Sequence, residues 1–155
     1  MSEVFDFGSL PVLETDRLVL RQFRRDADLA ALFDLFADPE VARYTDTGPF
    51  TTLREATEVM EWIDDIFTRR RGMRWAIVLK DGDDTLIGTA GYNWWNRATN
   101  SAELGYDLAQ RYWNQGLMTE ALRVLLVFGF DHMALNRVEA EVTVGNAAST
   151  SVLSK

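Results

Sequence analysis

The stretch Tyr112-Trp-Asn-Gln-Gly-Leu-Met-Thr-Glu-Ala121 decides how the rest of this chain is read. Before it, Ala102 to Ala109 alternates in the manner of a strand. After it, Leu117 to Met133 carries Leu122, Leu125, Leu126 and Phe130 on one side at helical spacing. The turn from Gln110 to Gln115 leads into Gly116. The first backbone N–H groups of a helix have no partner within it and carry partial positive charge. Gly116 removes the side chain where an anion must approach that backbone. Strand, glycine turn and helix together make a seat for a phosphate. Many such turns hold a glycine for steric reasons alone, so taken by itself the seat is generic. Glu120 falls in the first helical turn, where its charge suits the dipole but must point away from a bound phosphate.

Outward from this stretch, the chain reads as alternating strands and helices. Residues 13 to 23 read as a first strand around Leu18, Leu20 and Gln22. Asp26 or Asp28 opens a helix holding Leu29, Leu32, Phe33 and Phe36. Asp38-Pro39 is a cap and a first helical position for a short helix to Tyr44. Thr51 or Thr52, with Glu55 in a capping-box position, starts a longer helix with Val59, Trp62, Ile63 and Ile66 on its apolar face, ended by Gly72. The run Arg69-Arg70-Arg71 reads as a solvated helix end. Trp75 to Leu79 and Thr85 to Trp95 form a hairpin around the turn Asp81–Asp84. Arg137 to Val144 is a further strand, and Asn146 to Lys155 starts a last helix. With the short helix after Pro39 left aside, the order β, α, α, β, β, β, α, β, α predicts a mixed α/β domain, antiparallel at first and with two parallel strands around the helix that follows Gly116.

Composition narrows the function. The 155 residues suit one domain over the whole chain, and 47% hydrophobic content supports a sizeable core. A formal charge of −8 argues against nucleic-acid binding, which calls for a basic face. The same charge permits a cationic acceptor without requiring one. With no cysteine, thiolate catalysis and disulfides are excluded, and with a single histidine, His132, a histidine zinc site or a Ser-His-Asp triad is not expected. The N-terminus lacks the pattern of a signal peptide, and the apolar stretch Val124 to Phe130 is too short to span a bilayer. A cytoplasmic protein with no metal, no membrane partner and no nucleic acid is the expectation.

The run Trp113-Asn-Gln-Gly-Leu-Met-Thr-Glu-Ala121 resembles the acetyl-CoA loop of the GNAT superfamily, in detail its RimJ/RimL-like branch. The superfamily pattern is Gln/Arg-x-x-Gly-x-Gly/Ala; Gly116 fills the central glycine, while Trp113 and Met118 are the substitutions found in that branch. Further segments match in the same order: Thr15-Asp-Arg-Leu-Val-Leu-Arg21, Asp38-Pro-Glu-Val-Ala-Arg-Tyr44, Ile87-Gly-Thr-Ala-Gly91, Ala102-Glu-Leu-Gly-Tyr-Asp-Leu108, Asn136-Arg-Val-Glu-Ala140 and Asn146 to Lys155. In that family two more strands follow the last helix and form one wall of the acceptor site. Relative to it this sequence is C-terminally incomplete, so homodimerisation or strand exchange is an expectation.

The resemblance implies the GNAT acyl-CoA N-acyltransferase fold, a mixed central sheet with helices on both faces, and direct transfer of acetyl from acetyl-CoA to an amine, either a protein N-terminal α-amine or a small molecule. It implies Glu103 as a base acting through water, Ser149 near the sulfur as its proton donor, and Asn146 on the pantetheine arm. Leu108 or Ala109 would offer its main-chain N–H to the thioester carbonyl, and Gln115, Gly116, Leu117, Met118 and Thr119 would hold the pyrophosphate. Trp94, Trp95 and Tyr106 are candidates for the acceptor pocket, though at least one of the two tryptophans is expected in the core. A non-catalytic CoA-binding regulator is the alternative that the cradle alone leaves open.

Overall fold

The computed structural model describes residues 5, 7–43 and 48–140. Within them, six strands form one sheet in the order β1 (Leu13–Glu14), β2 (Leu18–Arg21), β3 (Met73–Leu79), β4 (Leu86–Asn96), β5 (Ser101–Leu108) and β6 (Arg137–Ala140). All neighbours are antiparallel except β5 and β6, the predicted parallel pair. The single first strand expected over 13–23 is instead a small hairpin. Thr15 breaks it: its N–H donates to the Leu18 carbonyl at 2.9 Å and its hydroxyl accepts the Leu18 N–H at 3.0 Å, so the chain reverses there.

Helices cover both faces. On one lies α4 (Leu117–His132), whose Leu117, Met118, Ala121, Leu122, Leu125 and Phe128 pack on Leu18, Leu20, Trp75, Tyr92 and Leu104 of the sheet. The opposite face carries α1 (Leu29–Ala37) and α3 (Leu53–Thr68), which bury Leu32, Phe36, Ala56 and Met60 against Ala76 and Leu86. The short helix α2 (Pro39–Ala42) begins as its sequence predicts, with the Asp38 carboxylate accepting the Glu40 N–H at 2.9 Å. At the head of α3, Glu55 accepts the N–H groups of Thr51 and Thr52 at 2.8 and 3.1 Å, which is the anticipated capping arrangement.

On each of the two long helices one residue of the expected apolar face turns outward, while Ile63, Ile66, Leu122 and Leu125 lie inward as expected. Trp62 and Phe130, expected inward, are 42% and 52% exposed. On α3 the buried line is Ala56, Met60, Ile63 and Ile66, and on α4 Phe128 and Gly129 take the inward positions beside Leu125. Gly129 is fixed there by contact: a Cβ on it would sit 2.5 Å from the Tyr92 hydroxyl. That hydroxyl donates to the Leu125 carbonyl at 2.6 Å, and burial pushes the phenol's proton affinity up.

Candidate active site

At the end of β5 the chain takes one 3₁₀ turn, Gln110–Tyr112, and then Gly116 opens α4 with φ +78°. That left-handed backbone is what glycine supplies without strain. The side chains of Leu117 and Met118 are buried in the core below, so what they can offer a ligand is backbone N–H. Thr119 is partly buried, and Gln115 turns its amide back to donate to the Arg111 carbonyl at 2.9 Å. Trp113 straps the turn to the strand: its indole N–H donates to the Leu108 carbonyl at 2.7 Å.

The acidic side chain near this N-terminus is drawn aside, as a phosphate seat requires. Glu120 accepts from the Thr15 hydroxyl, from the Arg17 N–H at 3.0 Å and from Arg17 Nε at 2.9 Å. Burial, the largest single influence, raises its proton affinity, but those hydrogen bonds and the Arg17 charge together outweigh it and hold the carboxyl below its usual range. Arg17 also donates to the Gln115 carbonyl at 3.0 Å, which leaves a half-exposed cation at the rim of the cradle. This clamp between the β1–β2 turn and α4 escaped the sequence reading, because Thr15 and Glu120 are 105 positions apart.

Glu103 lies on β5 with Gly105 and Asp107 on the same face, the one that α1 and α3 cover. This face is polar at its centre. Arg74 of β3 lies over Gly91 and Gly105, with its guanidinium donating to Asn93 Oδ1 at 2.6 Å, Thr89 Oγ1 at 2.6 Å and Asp107 Oδ2 at 3.2 Å. Gly105 leaves room for it, since a Cβ there would stand 2.5 Å from Arg74 Nη1. Burial pushes the Asp107 carboxyl up despite the Arg74 charge and the Thr89 hydroxyl, and it works equally against the Arg74 cation. Asn93 sits at a bulge in β4, where the register shifts between Tyr92 and Trp94, and its Nδ2 donates to Glu103 Oε1 at 3.0 Å.

The other expected site residues separate. Trp94 is the cross-strand partner of Glu103, so the two share a face. Trp95 is a correction to the pocket: it is buried in the core against Phe7, with the Arg97 guanidinium 4.5 Å over its ring. Tyr106 is partly buried and packs on the core beneath α4, not on the Glu103 face. Ala109 is also corrected, because its N–H donates to the Ile87 carbonyl at 2.9 Å and is committed to the sheet. Backbone direction alternates along a strand, so the Leu108 N–H points away from β4, to the side where its carbonyl meets Trp113. Asn146 and Ser149 lie outside the described residues.

The end of β5 thus brings together a glycine-opened helix N-terminus, which suits an anion, and a carboxylate further back along the strand. The chain belongs to the acetyltransferase (GNAT) domain family, whose model matches residues 17–155. It is 36% identical over 145 residues to the uncharacterized N-acetyltransferase p20 of Bacillus licheniformis, covering 93% of this chain and 80% of that protein. To the uncharacterized N-acetyltransferase YoaA of Bacillus subtilis (strain 168) it is 34% identical, covering 94% and 81%. A solved structure of RimL, a ribosomal L7/L12 alpha-N-protein acetyltransferase in complex with coenzyme A, superposes with a TM-score of 0.80 at 20% identity over 92% of this chain and 80% of that one. The fold is therefore the GNAT fold that the sequence implied, and the protein is an N-acetyltransferase of a family that uses acetyl-CoA. Among the described residues, no helix is long and apolar enough to cross a membrane.

Proposed function

We propose that this enzyme, in the cytoplasm, transfers acetyl from acetyl-CoA to a primary amine held in the same complex, with Glu103 as the base. The observation that carries the reading is Gly116, left-handed at the head of a 16-residue helix, with the nearby carboxylate of Glu120 turned away. The N–H groups at that helix start suit a pyrophosphate. Gly116 follows the C-terminal end of β5, so a pantetheine arm leaving the seat meets Leu108 first. Glu103 is five residues back, about 16 Å at strand spacing. The thioester end therefore belongs further back along β5, and Leu108 serves the arm, not the carbonyl.

In the reaction the amine nitrogen adds to the thioester carbonyl carbon; a C–N bond forms, the C–S bond breaks, and the departing thiolate takes up a proton. The proton lost by nitrogen passes through water to Glu103. Trp94, on the same face, is the acceptor-side wall. By resemblance, Ser149 supplies the thiolate's proton and Asn146 holds the arm. An α-amine, with a reference pKa of about 7.7–8.0, is neutral near pH 7 far more often than lysine at about 10.4. A site with one modest base suits the former, and a protein N-terminal α-amine or a small amine is the acceptor class, with no metal required.

The test is transfer of labelled acetyl from acetyl-CoA to peptides with a free α-amine, to the same peptides N-blocked with an internal lysine, and to small amines. Transfer to an α-amine, reduced about 100-fold or more in Glu103→Gln, is expected. Tight acetyl-CoA binding with no transfer to any amine would sink the catalytic reading in favour of a CoA-binding regulator.

A further inference from the structure

Glu103 is built into a larger device. Its carboxylate is reached by Asn93 Nδ2 at 3.0 Å, while the other end of the same amide, Oδ1, accepts from Arg74 Nη1 at 2.6 Å. An amide oriented by a guanidinium on one side can only present its N–H₂ on the other. Arg74 is itself fixed by Thr89 at 2.6 Å and by Asp107 at 3.2 Å, and its side chain is 7% exposed. The backbone makes room for this arrangement in two places. The β4 bulge at Asn93 aims its side chain across to β5, and Gly105 omits a Cβ that would stand 2.7 Å from Asn93 Nδ2 and 2.5 Å from Arg74 Nη1.

We infer that Asn93 is a positioning residue for the transfer reaction: held by Arg74 through its carbonyl, it fixes the Glu103 carboxylate in the orientation that accepts the amine's proton. The inference rests on the reading of Glu103 as the base. A free glutamate side chain samples several rotamers, and a base displaced by an ångström loses much of its effect. One amide hydrogen bond from a residue that cannot itself reorient removes that freedom. Oε2 of Glu103 is then left for the water or the amine, since the Asn93 bond engages Oε1.

The experiment is a double-mutant cycle on the full chain, using labelled acetyl transfer to the α-amine peptide. Asn93→Ala is expected to lower kcat about tenfold while the Kd for acetyl-CoA is unchanged; it also deprives the buried Arg74 of an acceptor, so Tm falls and activity is read well below it. Combined with Glu103→Gln, it should cost almost nothing further, because it acts only through that carboxylate. Asn93→Asp, which removes the donor and faces Glu103 with a like charge, should be worse than Asn93→Ala. Asn93→Ser enters the same cycle should Asn93→Ala not fold. Losses that multiply in the double variant, or an Asn93→Ala enzyme as active as the original, would overturn the positioning role while Glu103 stands. A Glu103→Gln enzyme of full activity, or no transfer to any amine, would remove the base itself and this inference with it.

Discussion

Replacing Gly116 with alanine separates the two reasons for a glycine at the head of α4. Its φ of +78° is a left-handed conformation that costs an alanine about 1–2 kcal/mol. The alanine also reduces the freedom of the unfolded chain, which returns about 0.4–1 kcal/mol. No clash adds to this, since the nearest atom to the new Cβ, Arg17 Nη2, is at 3.4 Å. The net loss is about 1 kcal/mol, which at this size lowers Tm by about 2–4 °C. Gly48 provides the control: its φ is +72° and a Cβ on it meets nothing within 4 Å. Both alanine variants should therefore lose similar stability, but only Gly116→Ala sets a methyl group at the phosphate seat. There a lost or lengthened charge-assisted hydrogen bond, worth about 1.5–3 kcal/mol, weakens acetyl-CoA tenfold or more. In thermal shift, acetyl-CoA at 100 times the original Kd stabilises the original protein by about 2.7 kcal/mol and a tenfold weaker variant by about 1.4. If Gly116→Ala gains as much from acetyl-CoA as Gly48→Ala does, the phosphate is not at this helix and the cradle reading is wrong.

Other consequences are as direct. Glu120→Gln should cost about 1–3 kcal/mol, because three donors from Thr15 and Arg17 lose their charged acceptor. The Glu120 carboxyl is held below its ordinary 4.5, so its contribution is present above about that pH and is lost as the pH falls through the lower, folded value. The stability gap between the two proteins, read from urea titrations, should accordingly close in acid; a gap that persists below that range refutes the clamp's electrostatics. Asp28→Ala strips the carboxylate that holds Arg21 at 2.8 and 2.9 Å inside the fold, and unfolding experiments should register about 3–5 kcal/mol. Gly105→Ala forces a Cβ to within 2.5 Å of Arg74 Nη1 and 2.9 Å of Asn93 Oδ1; about 1–3 kcal/mol of stability should go, with a loss of transfer larger than the unfolded fraction explains.

The strand-turn-helix stretch was legible because its signals are local. Alternation sets β5, a glycine marks the turn, and the helix period starts at once. Asp38-Pro39 and Thr52-Glu55 were legible for the same reason, since caps act within one turn of the chain. Where local signals fell silent the reading slipped. Val124 to Phe130 is apolar throughout except for glycine, so nothing in it fixes which side faces inward: the spacing points to Phe130, and the core takes Phe128. The first strand was read through Thr15-Asp16-Arg17 because a threonine suits a strand as well as a turn. Its role shows only when Leu18 folds back on it and Glu120 arrives from the other end of the domain. Asn93, Arg74, Thr89 and Asp107 were invisible as a group for a related reason. They come from three strands, and although Thr89 and Asn93 alternate onto one face, nothing local to β4 tells that Arg74 and Asp107 meet them there.

That polar group also bears on why the two faces of the sheet are built so differently. Beneath α4 the sheet is apolar from Leu18 to Leu108, a surface that needs nothing but close packing. On the other face a buried Arg74 and a partly buried Asp107 lie among Thr89, Asn93 and two glycines, although drawing the two charges out of water forfeits hydration. Well-packed apolar residues in the place of such a pair commonly leave a protein as stable or more so. Stability therefore gives no reason for an arginine at this position. Orientation does: a planar guanidinium with five fixed donors can hold Thr89, Asn93 and Asp107 at once, and a methionine of similar volume cannot. On the proposed reading of Glu103 as the base, the strand that leads to Gly116 thus carries, five residues before its end, a carboxylate whose direction is set from the interior of the sheet.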